Sequence, residues 1–99
     1  VVLGGNDPTA LGALAGLQSN HVTEKILIYG IDGSPDAKEM IKKGYLEGTS
    51  SQQPVKMGKK AVETAYKYLR GEPVEKDIMI DVIMITNENL NDFDIDGWL

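Results

Sequence analysis

The chain has 99 residues, 10 basic and 15 acidic side chains and a net charge of -5, which excludes the clustered basic face that nucleic acid or an anionic membrane surface requires. It contains no cysteine, so disulfides, thiolate metal sites and thiol nucleophiles are out of reach, and no apolar run approaches the roughly 18 residues that span a bilayer. A domain of this size buries only about 60–65% of its unfolded surface, so its core is marginal unless something else covers it.

Val1 to Gly4 reads as a short strand. The opening Val1-Val2-Leu3-Gly4-Gly5 has neither the basic start nor the long apolar stretch of a secretory signal, and it enters a strand at once, as a fragment would. Asn6-Asp7-Pro8 is a turn in which Asp7 is placed to cap a helix with Pro8 at its first position. Leu11, Leu14, Ala15 and Gln18 follow at helical spacing, which predicts a helix from Pro8 to Ser19. Ser19-Asn20-His21 ends it. Ile26 to Ile31 is a short apolar run closed by Asp32, Gly33 and a Ser-Pro helix start, the pattern of a buried parallel strand that delivers one carboxylate to a sheet edge.

Ser34 is an N-cap with Pro35 at N1, and Ala37, Met40 and Ile41 form the apolar stripe of a short helix closed by Gly44. Tyr45 to Ser51 is a weak strand broken by Gln52-Gln53-Pro54. Val55 to Leu69 is the longest helix, with Gly58, Ala61, Val62, Ala65 and Leu69 on one face and the lysines mainly elsewhere. Gly71 stops it. Asp77 to Thr86 is nearly all apolar apart from Asp81 and reads as a strand covered on both faces. The tail from Asn87 carries Glu88, Asp92, Asp94 and Asp96, no basic residue and the only Trp, and is expected to be irregular or a short helical turn. The order β-α-β-α-β-α-β predicts a parallel, right-handed α/β sheet with flanking helices.

In open parallel sheets ligands collect outside the carboxyl ends of the strands. Three such ends carry a side chain with two hydrogen-bonding arms: Asn6, Asp32 and Gln52. A carboxylate accepts from neighbouring hydroxyls and an amide donates and accepts at once, so the set suits a neutral polyol such as a sugar. Taken singly, Asn6 and Asp32 are turn formers and Gln52 a surface residue; the pattern is more specific than its members. His21, the sole histidine, sits in a polar connection without a catalytic partner at motif spacing and reads as a solvated loop residue. No phosphate loop is present, and Gly30-Ile31-Asp32-Gly33 lacks the glycine spacing of a dinucleotide fingerprint, so no cofactor is expected. Asp92-Phe93-Asp94-Ile95-Asp96-Gly97 matches the opening half of a calcium loop but has no closing Glu before Leu99; it reads as an acidic solvated tail, with calcium a minor option.

Four stretches carry a family resemblance: Asn6-Asp7-x-x-Ala10-Leu11-Gly12-Ala13, Gly30 to Ala37, Gly44-Tyr45-Leu46-x-Gly48-Thr49 and Gln52-Gln53-Pro54-x-x-Met57-Gly58. Together with Gly71-Glu72 and Ile85-Thr86-x-x-Asn89-Leu90, the chain resembles the ribose-binding-like, monosaccharide-binding members of the type I periplasmic binding proteins that serve ABC importers. The resemblance covers nearly all of the chain except Asp94 to Leu99, and only the C-terminal portion of such a protein. It implies that Asn6, Asp32 and Gln52 contact a monosaccharide, that the membrane subunits of an ABC transporter are partners, and that the location is periplasmic or, for a lipoprotein, extracellular and membrane-associated. It also implies a partial binding-protein fold in which residues 1–53 belong to one lobe, residues 54–80 to the opposite lobe, and residues 81–99 form a return strand and tail. The helix of residues 55–69 would then lack its native sheet, so the fragment is expected to be oligomeric, domain-swapped or poorly stable.

Two other readings compete. A lactose-repressor-type regulator shares the fold and a sugar cleft, with DNA-binding helices that would precede this chain. A doubly wound enzyme with Asp32 as a base or metal ligand is disfavoured, because no nucleophile-base pair or second strand-end carboxylate accompanies it.

Overall fold

A computed structural model describes residues 1–99. The elements run β1 (Val2–Leu3), α1 (Asp7–Ser19), β2 (Ile28–Asp32), α2 (Pro35–Lys42), β3 (Gly48–Ser51), α3 (Pro54–Leu69), β4 (Ile83–Thr86) and a 3-10 turn, Leu90–Asp92. They form one sheet of order β1-β2-β3-β4. The first three strands are parallel, with Leu3 opposite Tyr29 and Gly30 opposite Thr49. α1 and α2 pack side by side, the arrangement that successive right-handed crossovers in one direction produce.

β4 departs from the all-parallel expectation by pairing antiparallel to β3, Ser51 opposite Ile83 and Thr49 opposite Ile85. The reason is the path between them. After β3 the chain leaves along α3, turns at Gly71 (φ +76°), and returns extended, so it re-enters the sheet at the edge it left, Ile83 beside Ser51, and runs back along β3. Residues 77–82, expected to be strand, have no partner strand: Ile78 and Ile80 are half-buried while Met79 is 88% exposed. A strand needs a ladder, and within this chain only residues 83–86 reach one.

The core is small and one-sided. Ala10 and Leu14 of α1, Ile28 of β2, Ala37 and Ile41 of α2, Leu46, Ile85 and Leu90 make one buried cluster. The opposite sheet face is open, leaving Leu3, Ile31 and Met84 exposed. No residue of α3 is buried, and the face carrying Val62 and Leu69 meets solvent. The arm stretches the molecule to 60 × 24 × 16 Å with a radius of gyration of 17.0 Å, against about 13 Å for a compact chain of this length. Its 6832 Å² of accessible surface similarly exceeds the roughly 5,500 Å² of a compact globule of this size.

Candidate functional site

The three strand ends converge on one edge. Leaving β1, Asn6 adopts an extended backbone (φ -157°) and caps α1, its Oδ1 accepting from the Thr9 amide at 2.9 Å. Capping by such a side chain contributes about 1 kcal/mol. The cap therefore falls on Asn6 and not on Asp7 as expected. Asn-Asp-Pro offers two possible caps, and only Asn6 has the extended geometry a cap needs. One consequence is chemical: with one lone pair of Oδ1 committed to the helix, the exposed Asn6 amide keeps its Nδ2 hydrogens free to donate.

Asp32 closes β2 half-buried, with φ +139°, a backbone region that residues with a side chain rarely adopt. Its Oδ1 accepts from Gln52 Nε2 at 3.0 Å and its Oδ2 from the Asp7 amide at 3.3 Å. That amide belongs to the first turn of α1, where the helix dipole favours a negative charge. Each carboxylate oxygen has two lone pairs, so after these bonds each keeps one with which to accept a hydroxyl. Exposed Gln52 uses one Nε2 hydrogen on Asp32 and keeps its Oε1 and second hydrogen. Asp32 and Gln52 thus form a hydrogen-bonded polar pair, and Asn6 stands one residue before Asp7, whose amide reaches Asp32.

Behind this edge lies a residue that the sequence reading assigned only a cap. Asp7 is fully buried. Its Oδ1 accepts from Thr49 Oγ1 at 2.6 Å and its Oδ2 from the Ser34 amide at 2.8 Å, while Thr49 Oγ1 accepts from the Gly33 amide at 3.0 Å. Gly30 makes room for it, since a Cβ there would stand 2.2 Å from Asp7 Oδ1. A glycine inside a strand signals that some group approaches the backbone closely, without naming which one.

The other singled-out residues lie elsewhere. His21 is exposed in a left-handed turn (φ +55°) after α1. The Asp92–Gly97 segment is not purely solvated: it wraps the ammonium of Lys38, whose Nζ donates to the carbonyls of Asp94 and Gly97, both at 2.5 Å. The Asp92, Asp94 and Asp96 carboxylates do not converge as metal ligands. Lys38, unflagged in the sequence, is fully buried on α2; burial pushes its pKa below the ordinary 10.5, opposed by Asp94 and Asp96.

A family model described as a periplasmic binding protein domain matches residues 1–73. The chain belongs to the periplasmic binding protein family. Among its relatives, the ribose import binding protein RbsB of Escherichia coli K12 is 37% identical over 83 residues, covering 84% of this chain and 28% of RbsB. A periplasmic solute-binding protein of an ABC transporter from Actinobacillus succinogenes 130z, solved with bound D-allose, superposes with a TM-score of 0.84 at 28% identity over 89% of this chain and 31% of its own. A solute-binding protein from Bacillus halodurans C-125 with bound myo-inositol gives 0.81 at 36% identity over 88% and 30%. The chain thus spans under a third of the length of each of these relatives.

Proposed function

We propose that this chain is the C-terminal portion of the substrate-binding component of a sugar ABC importer, located in the periplasm or held outside the membrane as a lipoprotein. In it, Asp32 accepts two hydroxyls of a monosaccharide or related polyol, Asn6 donates from Nδ2, and Gln52 donates and accepts beside them. The observation that carries the reading is the Asp32–Gln52 hydrogen bond between adjacent strand ends, at the N-terminus of α1, with Asn6 alongside. The RbsB, D-allose and myo-inositol relatives support a small neutral polyol as ligand. They lend nothing to the repressor reading. The role is binding without catalysis, because the edge presents one carboxylate and two amides and no nucleophile-base pair.

The lobe division fits the same reading. Residues 1–53 and the return strand with its tail make one lobe's edge, and residues 54–80 are the part contributed to the opposite lobe. The two crossings are tied where they pass, Gln53 Nε2 donating to the Asp81 carbonyl, and the Val55 amide donates to the Leu99 carbonyl at 2.8 Å. Partners are then the sugar and the membrane subunits of the importer. Calorimetric titration of the intact protein with D-ribose, D-allose and myo-inositol tests the proposal. Saturable binding of at least one is expected, and no heat of binding across the panel contradicts it.

A further inference from the structure

Asp32 holds an unfavourable backbone conformation, and such conformations persist only where surrounding contacts over-determine them. The contacts that do so come from two side chains with no place on the sugar-facing edge. Asp7 Oδ2 takes the amide of Ser34, two residues after Asp32, and Thr49 Oγ1 takes the amide of Gly33, one residue after it. Thr49 Oγ1 spends its own hydrogen on Asp7 Oδ1, so the two holders are locked together. The Asp7 amide reaches Asp32 Oδ2 directly. Both Asp7 and Thr49 are fully buried, out of reach of a ligand at the open edge. Gly33 admits no side chain there: its φ is +74° and a Cβ would lie 2.6 Å from Ser51 Cβ.

We propose that Asp7 and Thr49 are positioning residues for Asp32: together they fix the Gly33-Ser34 turn, and through it the direction in which the Asp32 carboxylate meets its ligand. The inference rests on the sugar-binding reading above and goes beyond it by assigning function to two buried residues that touch no sugar. With the Thr49 hydroxyl removed, the Gly33 amide loses its acceptor and Asp7 loses one of its two donors. The Asp32 backbone then relaxes toward ordinary angles and its carboxylate swings off Gln52. A serine at the same position keeps the hydroxyl and the hold.

The test compares wild type, Thr49→Val, Thr49→Ser, Asp7→Asn and Asp32→Ala in the intact protein. Each is titrated with D-ribose, D-allose and myo-inositol, and amide hydrogen exchange is followed at Gly33 and Ser34. Thr49→Val is expected to weaken binding about tenfold, the scale of one broken buried hydrogen bond. It should also speed exchange at Gly33 and Ser34 while the core of α1 and β2 stays protected, and Thr49→Ser should restore both. If Thr49→Val fails to fold, Asp7→Asn, which sets an amide hydrogen against one of two existing donors, carries the same expectation. Wild-type affinity in Thr49→Val or Asp7→Asn, with binding lost in Asp32→Ala, overturns the positioning role and leaves the sugar reading intact. Unchanged binding in Asp32→Ala, or no binding of any sugar by wild type, overturns the sugar reading and the positioning role with it.

Discussion

At the scale of single residues, Asp32 combines the carboxylate proposed to meet the ligand with a costly backbone. Sparsely populated angles cost of the order of 1–3 kcal/mol, and glycine relieves that cost while alanine does not. Asp32→Gly is therefore expected to be more stable than Asp32→Ala by about 1 kcal/mol in urea unfolding, although both lose the carboxylate. Equal stabilities would mean that φ +139° carries no strain. Gly30 has the opposite dependence. An added methyl would collide with the buried Asp7 carboxylate, so Gly30→Ala should destabilise by about 1–3 kcal/mol, as overpacking does. A thermal midpoint unmoved by that change would show that Asp7 can shift freely. The strand-end positions of Asn6, Asp32 and Gln52 were legible in the sequence because each lies just past a stretch read as a strand, although only Asp32 directly follows an apolar run. Asp7 was not, because a carboxylate before a proline reads as a cap, and only the fold reveals that Asn6 has taken that position and turned Asp7 inward.

At the scale of elements, α2 was legible almost to the residue, since Ser34 and Pro35 write its start and Gly44, at φ +81°, its end. The partner of its buried face was not. A lysine on a short helix reads as solvated, yet Lys38 is buried and pins the tail by the Asp94 and Gly97 carbonyls. Lys38→Met should release that tail, and leaving two carbonyls without a donor should cost about 1–3 kcal/mol. Titration gives a second readout with a defined sign. The folded-state pKa is lowered, mainly by burial, so in the window from that lowered value up to 10.5 the unfolded chain binds more protons than the folded one. Stability from this group therefore rises with pH across the window and is lowest below it. Urea midpoints measured at about pH 8 and about pH 10 should favour wild type over Lys38→Met more strongly at the higher pH. A difference independent of pH would contradict a buried ammonium. The direction of β4 was illegible for another reason. An apolar strand carries no mark of orientation, which is set by the excursion through α3 that precedes it.

At the scale of the whole molecule, the chain is a one-sided sheet with an arm. Val62 and Leu69 of α3, Met79 of the returning segment and Leu3, Ile31 and Met84 on the open sheet face are all exposed, and contiguous apolar surface of this kind favours association. Sedimentation velocity on the 99-residue chain should show self-association or marginal stability. A stable monomer with a cooperative unfolding transition would contradict that reading. The resemblance in sequence led to the expectation that the long helix lacks its native sheet and is repacked, swapped or covered by a partner; in the structure no residue of α3 is buried. In the proposed function, an edge built from Asn6, Asp32 and Gln52 recognises a sugar once the rest of the cleft is present. Titration of the intact protein and its Asp32→Ala variant with the same sugar tests this recognition most directly. Loss of detectable binding in the variant is expected, and an unchanged affinity would rule the recognition out.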